Sequence, residues 1–163
     1  MKAMILAAGR GERMGSLTQF TPKPLTKIKN STLIEHNLLR IKNSGIQEVI
    51  INISWLGSQI KDYLGNGEKW GIRIEYLNEG NKLLGTGGGI LNALSYLGNE
   101  PFWLVNSDIY TDYSIDTNKE LNNNNLAHLI LVPNPSFSNG FQWFLGVLVS
   151  GNPASQPQTP HFP

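Results

Sequence analysis

The sequence predicts an α/β domain built on a mostly parallel sheet. Up to about residue 135, short apolar runs alternate with segments of helical periodicity, a rhythm typical of strands joined by helical crossovers. The first apolar run also leads directly into a glycine-rich turn, and the carboxyl ends of parallel strands are where such sheets bind ligands. The length of 163 residues is sufficient for one domain with a sizeable core.

Five apolar runs predict the strands of this sheet. The first is continuously apolar, the second is rich in β-branched residues, and the third alternates between apolar and polar positions. The predicted strands are residues 3–8, 48–53, 72–77, 102–106 and 127–133.

Four segments between these strands predict helices. They are residues 31–44, 56–65, 86–98 and 113–125. The first has the clearest signals, because Thr32 and Glu35 are spaced for a capping box and Gly45 provides a C-terminal stop. The last is a weaker helix pattern, and the asparagine run at its end is typical of a loop.

The overall composition excludes several classes of protein. With 13 basic and 12 acidic residues the net charge is +1, which argues against a nucleic-acid partner. No apolar run is long enough for a membrane span, and the chain does not open with a secretory signal pattern. Since cysteine is absent, a reducing, cytoplasmic location fits the sequence.

The C-terminal part differs in composition from the rest. All 13 basic and 12 acidic residues precede residue 121, whereas six of the nine prolines follow it. This shift predicts a domain over residues 1–135 and an atypical tail over 136–163, with the appearance of a truncated or out-of-frame end. Within the tail, only a short apolar piece near residues 141–149 is expected to pack.

The turn after the first strand has the chemistry of a phosphate site. Gly9 and Gly11 leave backbone N–H groups free to meet an anion, and Arg13 and Lys23 add cationic donors. Met14 occupies the third glycine position of the dinucleotide fingerprint, which disfavours a dehydrogenase, and the P-loop ending is also absent. The alternative interpretation is an ordinary turn with solvated basic side chains.

Three further features each have a functional interpretation and an ordinary structural alternative. Prolines flank Lys23 and could hold it rigidly as a phosphate clamp, although a solvated lysine is the alternative. Four glycines among residues 85–89 would let a flat base approach the backbone, or would form a flexible loop. Asp108 follows the fourth strand and is a natural Mg²⁺ ligand, or else a turn residue.

Because parallel strands end at one edge of the sheet, these features are expected to share a cleft. The segments concerned are residues 8–13, 76–80 and 106–108.

Four stretches together resemble the sugar-1-phosphate nucleotidylyltransferases. These stretches are LAAGRGERM at 6–14, PKPL at 22–25, LGTGGG at 84–89 and VNSD at 105–108. The resemblance covers about residues 1–135 and implies a Rossmann-like nucleotide-diphospho-sugar transferase fold with helices on both faces, incomplete at its C-terminus. It also implies transfer of a nucleoside monophosphate from a nucleoside triphosphate to a sugar 1-phosphate, with release of pyrophosphate.

The resemblance also implies roles for individual positions. The nucleotide-binding positions would be Leu6, Ala7, Ala8, Gly9, Gly11, Glu79, Gly85, Thr86, Gly87 and Gly88. The catalytic positions would be Arg13, Lys23 and Asp108. Lys23 would neutralise the α-phosphate, Asp108 would hold Mg²⁺, and Glu79 would frame the base together with the 85–88 turn.

Within the family, residues 55–67 and 105–113 most resemble the bacterial branch that joins UTP to N-acetylmuramate 1-phosphate in cell-wall sugar recycling. Two alternatives stay open: a mannose-1-phosphate guanylyltransferase, and a remnant that binds nucleotide without turnover. The sequence departs from the family pattern at residues 15–18, where GSLT replaces Arg-Pro-Leu-Thr. It also offers no second metal-binding aspartate after residue 120, so weak nucleotide binding with slow or no turnover is expected.

Overall fold

The computed structural model describes residues 1–82, 84–121, 125–131 and 144–149. The strands are β1 (Lys2–Leu6), β2 (Lys27–Ile28), β3 (Ser31–Thr32), β4 (Glu48–Ile53), β5 (Arg73–Asn78), β6 (Phe102–Asn106), β7 (Ala127–Leu131) and β8 (Phe144–Val149). The helices are α1 (Leu33–Asn43), α2 (Gly57–Leu64) and α3 (Gly85–Leu97). Short 3-10 helices span Glu12–Thr18, Lys23–Leu25 and Glu68–Trp70. No helix in these ranges is long and apolar enough to cross a lipid bilayer.

The main sheet has six strands in the order β5-β4-β1-β6-β8-β7. The pairings β4–β5, β1–β4 and β1–β6 are parallel, whereas β8 runs antiparallel to both β6 and β7. The prediction of a mostly parallel sheet is therefore confirmed. Because β1 lies between β4 and β6, its last residue, Leu6, faces Asn52 on one side and Asn106 on the other.

Helices cover both faces of this sheet. Ala3 and Ile5 of β1 belong to the larger apolar cluster, which contains the buried faces of α1 and α2. Met4, between them, belongs to a second cluster with Ala93 and Leu97 of α3. This alternation produces three layers, and it explains why the central strands are apolar at nearly every position.

Helix α1 begins at the predicted capping box. The Thr32 N–H donates to the Glu35 carboxylate at 2.5 Å, and the Glu35 N–H donates to Thr32 Oγ1 at 3.3 Å. The fully buried residues on its inner face are Ile34, Leu38 and Ile41. Local capping and periodicity therefore agree with the tertiary packing of this helix.

The predicted helix over residues 113–125 is wrong where the structure describes it. Residues 113–121 and 125 form turns and irregular backbone, and residues 122–124 lie outside the described ranges. Short polar side chains satisfy the backbone locally, since Thr111 Oγ1 accepts from the Tyr113 N–H at 3.1 Å and Asp116 Oδ1 from the Asn118 N–H at 3.0 Å. Such local bonds compete with helix formation.

Strand β8 comes from the expected apolar piece of the tail. It lies between β6 and β7, and two successive residues, Val147 and Leu148, are buried in the clusters on opposite faces of the sheet. Residues 132–143 and 150–163, including the end of the strand predicted at 127–133, lie outside the described part of the chain. The domain boundary at residue 135 stays a prediction.

Candidate active site

A cavity of about 550 Å³ lies at the carboxyl ends of β1, β4, β5 and β6. Its walls include Gly9 and Gly11 from the turn after β1, Glu79 from the end of β5, and Asp108 from the end of β6. The prediction that these segments share one cleft is therefore confirmed. They meet because all four strands are parallel, so their carboxyl ends lie at one edge.

The glycine turn is closed by a buried threonine. Gly11 has φ +68°, the left-handed region that favours glycine, and a Cβ there would lie 3.0 Å from Thr18 Cγ2. The Thr18 hydroxyl donates to the Gly11 carbonyl at 2.9 Å. Thr18, in the GSLT segment, therefore fixes the curvature of the turn that lines the cavity.

Lys23 and Asp108 form an ion pair in the cavity. Lys23 Nζ lies 2.5 Å from Asp108 Oδ2, and the two side chains are 28% and 35% exposed. Pro22 and the buried Pro24 flank the lysine at the start of the 3-10 helix Lys23–Leu25. Separate partners, a phosphate and a metal, are predicted for these side chains, and the structure shows that they also contact each other.

Asn52 is a cavity residue that sequence analysis missed. It is 3% exposed near the end of β4, and its Oδ1 accepts from the Ala7 N–H at 2.9 Å. Its Nδ2 donates to Glu79 Oε1 at 2.8 Å. The signal that could have found it is an amide near the carboxyl end of an otherwise apolar, buried strand.

A second missed residue holds the segment that carries Asp108. Asn37 of α1 is 1% exposed, and its Nδ2 donates to the carbonyls of Leu33 and Ile109 at 3.1 Å. Arg40 donates in turn to Asn37 Oδ1 at 3.0 Å, and burial lowers the pKa of its guanidinium. The signal here is a polar residue on the apolar face of a predicted amphipathic helix.

The remaining predicted positions fall into three groups. Leu6, Ala8, Gly85 and Thr86 line the cavity, and Ala7 contributes its N–H to Asn52. Gly87 and Gly88 lie in the first turn of α3 and are not among the described residues that line the cavity. Arg13 lies in the 3-10 helix Glu12–Thr18, and its side chain is outside the described part of the structure.

The site fits a divalent cation that takes further ligands from a nucleotide. Mg²⁺ in phosphate-transferring sites uses one or two carboxylates together with phosphate oxygens and water. Asp108 provides one such carboxylate beside the glycine turn. Where the structure describes side chains, no group of three or more His, Asp or Glu is arranged to hold a metal without such help.

Comparison with curated proteins identifies relatives of this chain. It is 49% identical over 139 residues to the N-acetylmuramate alpha-1-phosphate uridylyltransferase of Neisseria meningitidis serogroup B, covering 83% of this chain and 60% of the relative. It is 32% identical over 129 residues to the mannose-1-phosphate guanylyltransferase of Mycobacterium tuberculosis, covering 79% of this chain and 36% of the relative. The chain therefore spans 60% or less of these relatives.

The fold also matches solved structures. A Bacillus anthracis protein described as a glucose-1-phosphate thymidylyltransferase superposes with a TM-score of 0.75 at 20% identity, over 93% of this chain and 72% of that one. At this identity the match supports the fold alone. The family model for nucleotidyl transferases matches residues 2–134, which contain every part of the cavity described above. The chain therefore belongs to the nucleotidyl transferase family.

Proposed function

We propose that the chain transfers uridine monophosphate from UTP to N-acetylmuramate 1-phosphate and releases pyrophosphate. The observation that carries this proposal is a single cavity that joins a glycine turn to the Lys23–Asp108 pair. The choice of substrates follows the name of the relative at 49% identity. A role in cell-wall sugar recycling, a cytoplasmic location and the absence of nucleic-acid and membrane partners stay predictions from the sequence.

Different walls of the cavity would bind different parts of the nucleotide. The backbone N–H groups of the turn at Gly9 and Gly11 would cradle the triphosphate, since unpaired peptide donors bind anions well. Glu79 and the amino-terminal turn of α3 would frame the base on the opposite wall. Lys23 also lines the cavity, beside Asp108, and would contact the α-phosphate as a cation.

The reaction is an in-line displacement at phosphorus. A phosphate oxygen of the sugar 1-phosphate forms a bond to the α-phosphorus of UTP, and the bond from that phosphorus to the oxygen bridging to the β-phosphate breaks. The electron pair leaves with pyrophosphate, so no covalent enzyme intermediate is needed. Such chemistry depends on placement and charge neutralisation more than on a strong base.

Lys23 would neutralise the negative charge that builds up around the α-phosphorus. Asp108 would hold Mg²⁺, and the metal when bound supplies further neutralisation of phosphate charge. Asn37, which accepts from Arg40, holds the backbone next to Asp108 and so would help to position its carboxylate.

The test combines nucleotide binding with pyrophosphate release. UTP, GTP and CTP are titrated into the protein by calorimetry, and pyrophosphate is then assayed with Mg²⁺ and either N-acetylmuramate 1-phosphate or mannose 1-phosphate. We expect UTP to bind most tightly, although weakly, and pyrophosphate to appear slowly and only with N-acetylmuramate 1-phosphate. Asp108→Asn should abolish release while the protein stays folded.

Two other outcomes distinguish the alternatives. Release with GTP and mannose 1-phosphate would assign the chain to the activity named for the Mycobacterium tuberculosis relative. Nucleotide binding without release from any substrate pair would support a binding remnant.

A further inference from the structure

Asn52 is a buried polar residue at the point where three strands converge on the cavity. In the sheet it faces Leu6 of β1 on one side and Leu77 of β5 on the other. A buried amide destabilises the fold unless its polar atoms are paired. Both ends of this amide are used, toward the Ala7 N–H at 2.9 Å and toward Glu79 Oε1 at 2.8 Å.

The two hydrogen bonds have opposite directions, so no other residue of this size satisfies both. The Oδ1 atom must accept from a peptide N–H, and the Nδ2 atom must donate to a carboxylate. The backbone of Glu79 is anchored separately, because its N–H donates to the Ile53 carbonyl at 2.9 Å. Residue Glu79 is therefore held at two points, its backbone N–H and its side-chain carboxylate.

Gly89 of α3 provides independent evidence that this arrangement is tight. A Cβ on Gly89 would lie 2.8 Å from Asn52 Nδ2 and 2.9 Å from Glu79 Oε1. The helix backbone thus packs directly over the hydrogen bond between the two side chains. Little space remains for either side chain to adopt another rotamer, and a larger residue at position 89 would disturb both.

We propose that Asn52 is a positioning residue for the nucleotide, which fixes the Glu79 carboxylate and the turn that begins at Ala7 relative to each other. This inference rests on the proposed function, in which these two elements form opposite walls around the nucleoside. Because the hydrogen bonds of Asn52 do not involve Lys23 or Asp108, its effect falls on nucleotide affinity rather than on the transfer step.

The test first removes the donor of the bond between Asn52 and Glu79 and then restores that bond in the opposite direction. Asn52→Asp keeps the size and the acceptor toward Ala7, but it replaces the donor with an oxygen that faces the Glu79 carboxylate. The Kd for UTP is expected to rise about 10- to 100-fold, since a hydrogen bond to a charged group becomes a repulsion. Adding Glu79→Gln to this variant supplies a donor from the other side and is expected to recover most of the affinity.

Asn66→Asp is the matched control. Asn66 follows α2, is exposed, is not among the described residues that line the cavity, and accepts from the Glu68 N–H at 3.1 Å, a bond that aspartate retains. The same chemical change there is expected to leave the Kd for UTP within about twofold of the wild type. An effect equal to that of Asn52→Asp would indicate a general charge effect and overturn the proposal.

A measurement without nucleotide separates this proposal from the proposed function. Amide hydrogen exchange of residues 7–11 is expected to accelerate in Asn52→Leu, which removes both hydrogen bonds, while exchange in β6 is unchanged. Wild-type protein that binds no nucleotide would refute the proposed function, and the exchange data would still decide the positioning role. The positioning role would be overturned by unchanged amide exchange of residues 7–11 in Asn52→Leu. It would also be overturned by a wild-type Kd for UTP in Asn52→Asp.

Discussion

Lys23 and Asp108 meet at 2.5 Å, so the two charged groups proposed to serve the phosphate and the metal are also partners of each other. A metal ion that approaches Asp108 must compete with the lysine ammonium. A bound triphosphate offers the lysine another anion and leaves the carboxylate available. Metal affinity and nucleotide binding should therefore be linked through this pair.

Lys23→Gln is expected to strengthen metal binding to the nucleotide-free protein. It removes the competing cation at a partly exposed pair, so the gain is roughly three- to tenfold in Kd for Mn²⁺, used as a probe for Mg²⁺. Electron paramagnetic resonance of free Mn²⁺ measures this directly. Lys27→Gln, an exposed lysine of β2, is the control, and an equal gain there would show that net charge alone is responsible.

At the scale of elements, α1 is both a structural and a positioning helix. Its amino-terminal end is fixed by the Thr32–Glu35 capping box, and its middle carries Asn37, which bonds the segment behind Asp108. The first role depends on local sequence, whereas the second depends on contacts about 70 residues away. Separate experiments can test the two roles.

The capping box should make stability depend on pH in the acid range. Burial tends to raise the pKa of Glu35, but hydrogen bonds from Thr32 and Tyr63 outweigh it, so the pKa in the folded protein is lowered. A depressed folded pKa contributes stability above the unfolded pKa, and this contribution is lost as pH falls through the folded pKa.

Glu35→Ala should therefore reduce the free energy of unfolding by about 1 kcal/mol at pH 7, because it removes the carboxylate that accepts from the Thr32 N–H. The difference from the wild type should shrink toward pH 3, as urea denaturation at both pH values would show. A constant difference across this range would contradict the role assigned to the Glu35 carboxylate.

Asn37→Ala is expected to loosen the segment that carries Asp108. It removes donors to the carbonyls of Leu33 and Ile109 and leaves Arg40 without an acceptor, so a loss of about 1–3 kcal/mol in unfolding free energy is expected. Hydrogen exchange should accelerate in residues 106–113. Asn43→Ala, on the exposed side of α1, should change neither measurement, and a similar acceleration there would refute the specific role.

At the scale of the whole molecule, β8 joins the sheet to its last described strand. It pairs with β6 through residues such as Leu148 and with β7 along most of its length. Removing it would expose one edge of β6 and uncover apolar residues on both faces. The sheet thus depends on a segment without a charged residue, which by composition looked foreign to the domain.

Leu148→Ala is expected to destabilise the whole domain. Leu148 is fully buried in the larger apolar cluster, and removing such a side chain costs about 2–5 kcal/mol through lost burial and a residual cavity. Leu131→Ala on β7, where the side chain is 48% exposed, should cost much less. Thermal or urea denaturation distinguishes the two, and equal effects would show that β8 does not contribute to the core.

Local sequence predicted the elements whose signals are strong and close together. The strand over 48–53 has the predicted bounds, and the predicted helix over 31–44 begins at the expected capping box, because β-branched runs, periodicity and caps act within a few residues. The segment 113–121 failed because turn-forming side chains outweighed a weak helical pattern. At the site, strand-end geometry and the resemblance of short motifs predicted that Gly11, Glu79 and Asp108 would meet in one cavity, but neither predicted Asn52.

By itself, then, the sequence determined the α/β class, the glycine turn and the chemical groups at the strand ends, since each of these depends on neighbours in the chain. The tertiary structure alone decided the pairing of Lys23 with Asp108 across 85 residues, the bridge from Asn52 to Ala7 across 45, and the place of β8 in the sheet. These contacts depend on the strand order and on how the crossovers pack. A hydrogen bond between distant residues forms only after that packing brings its atoms within about 3 Å, and no local pattern encodes the distance.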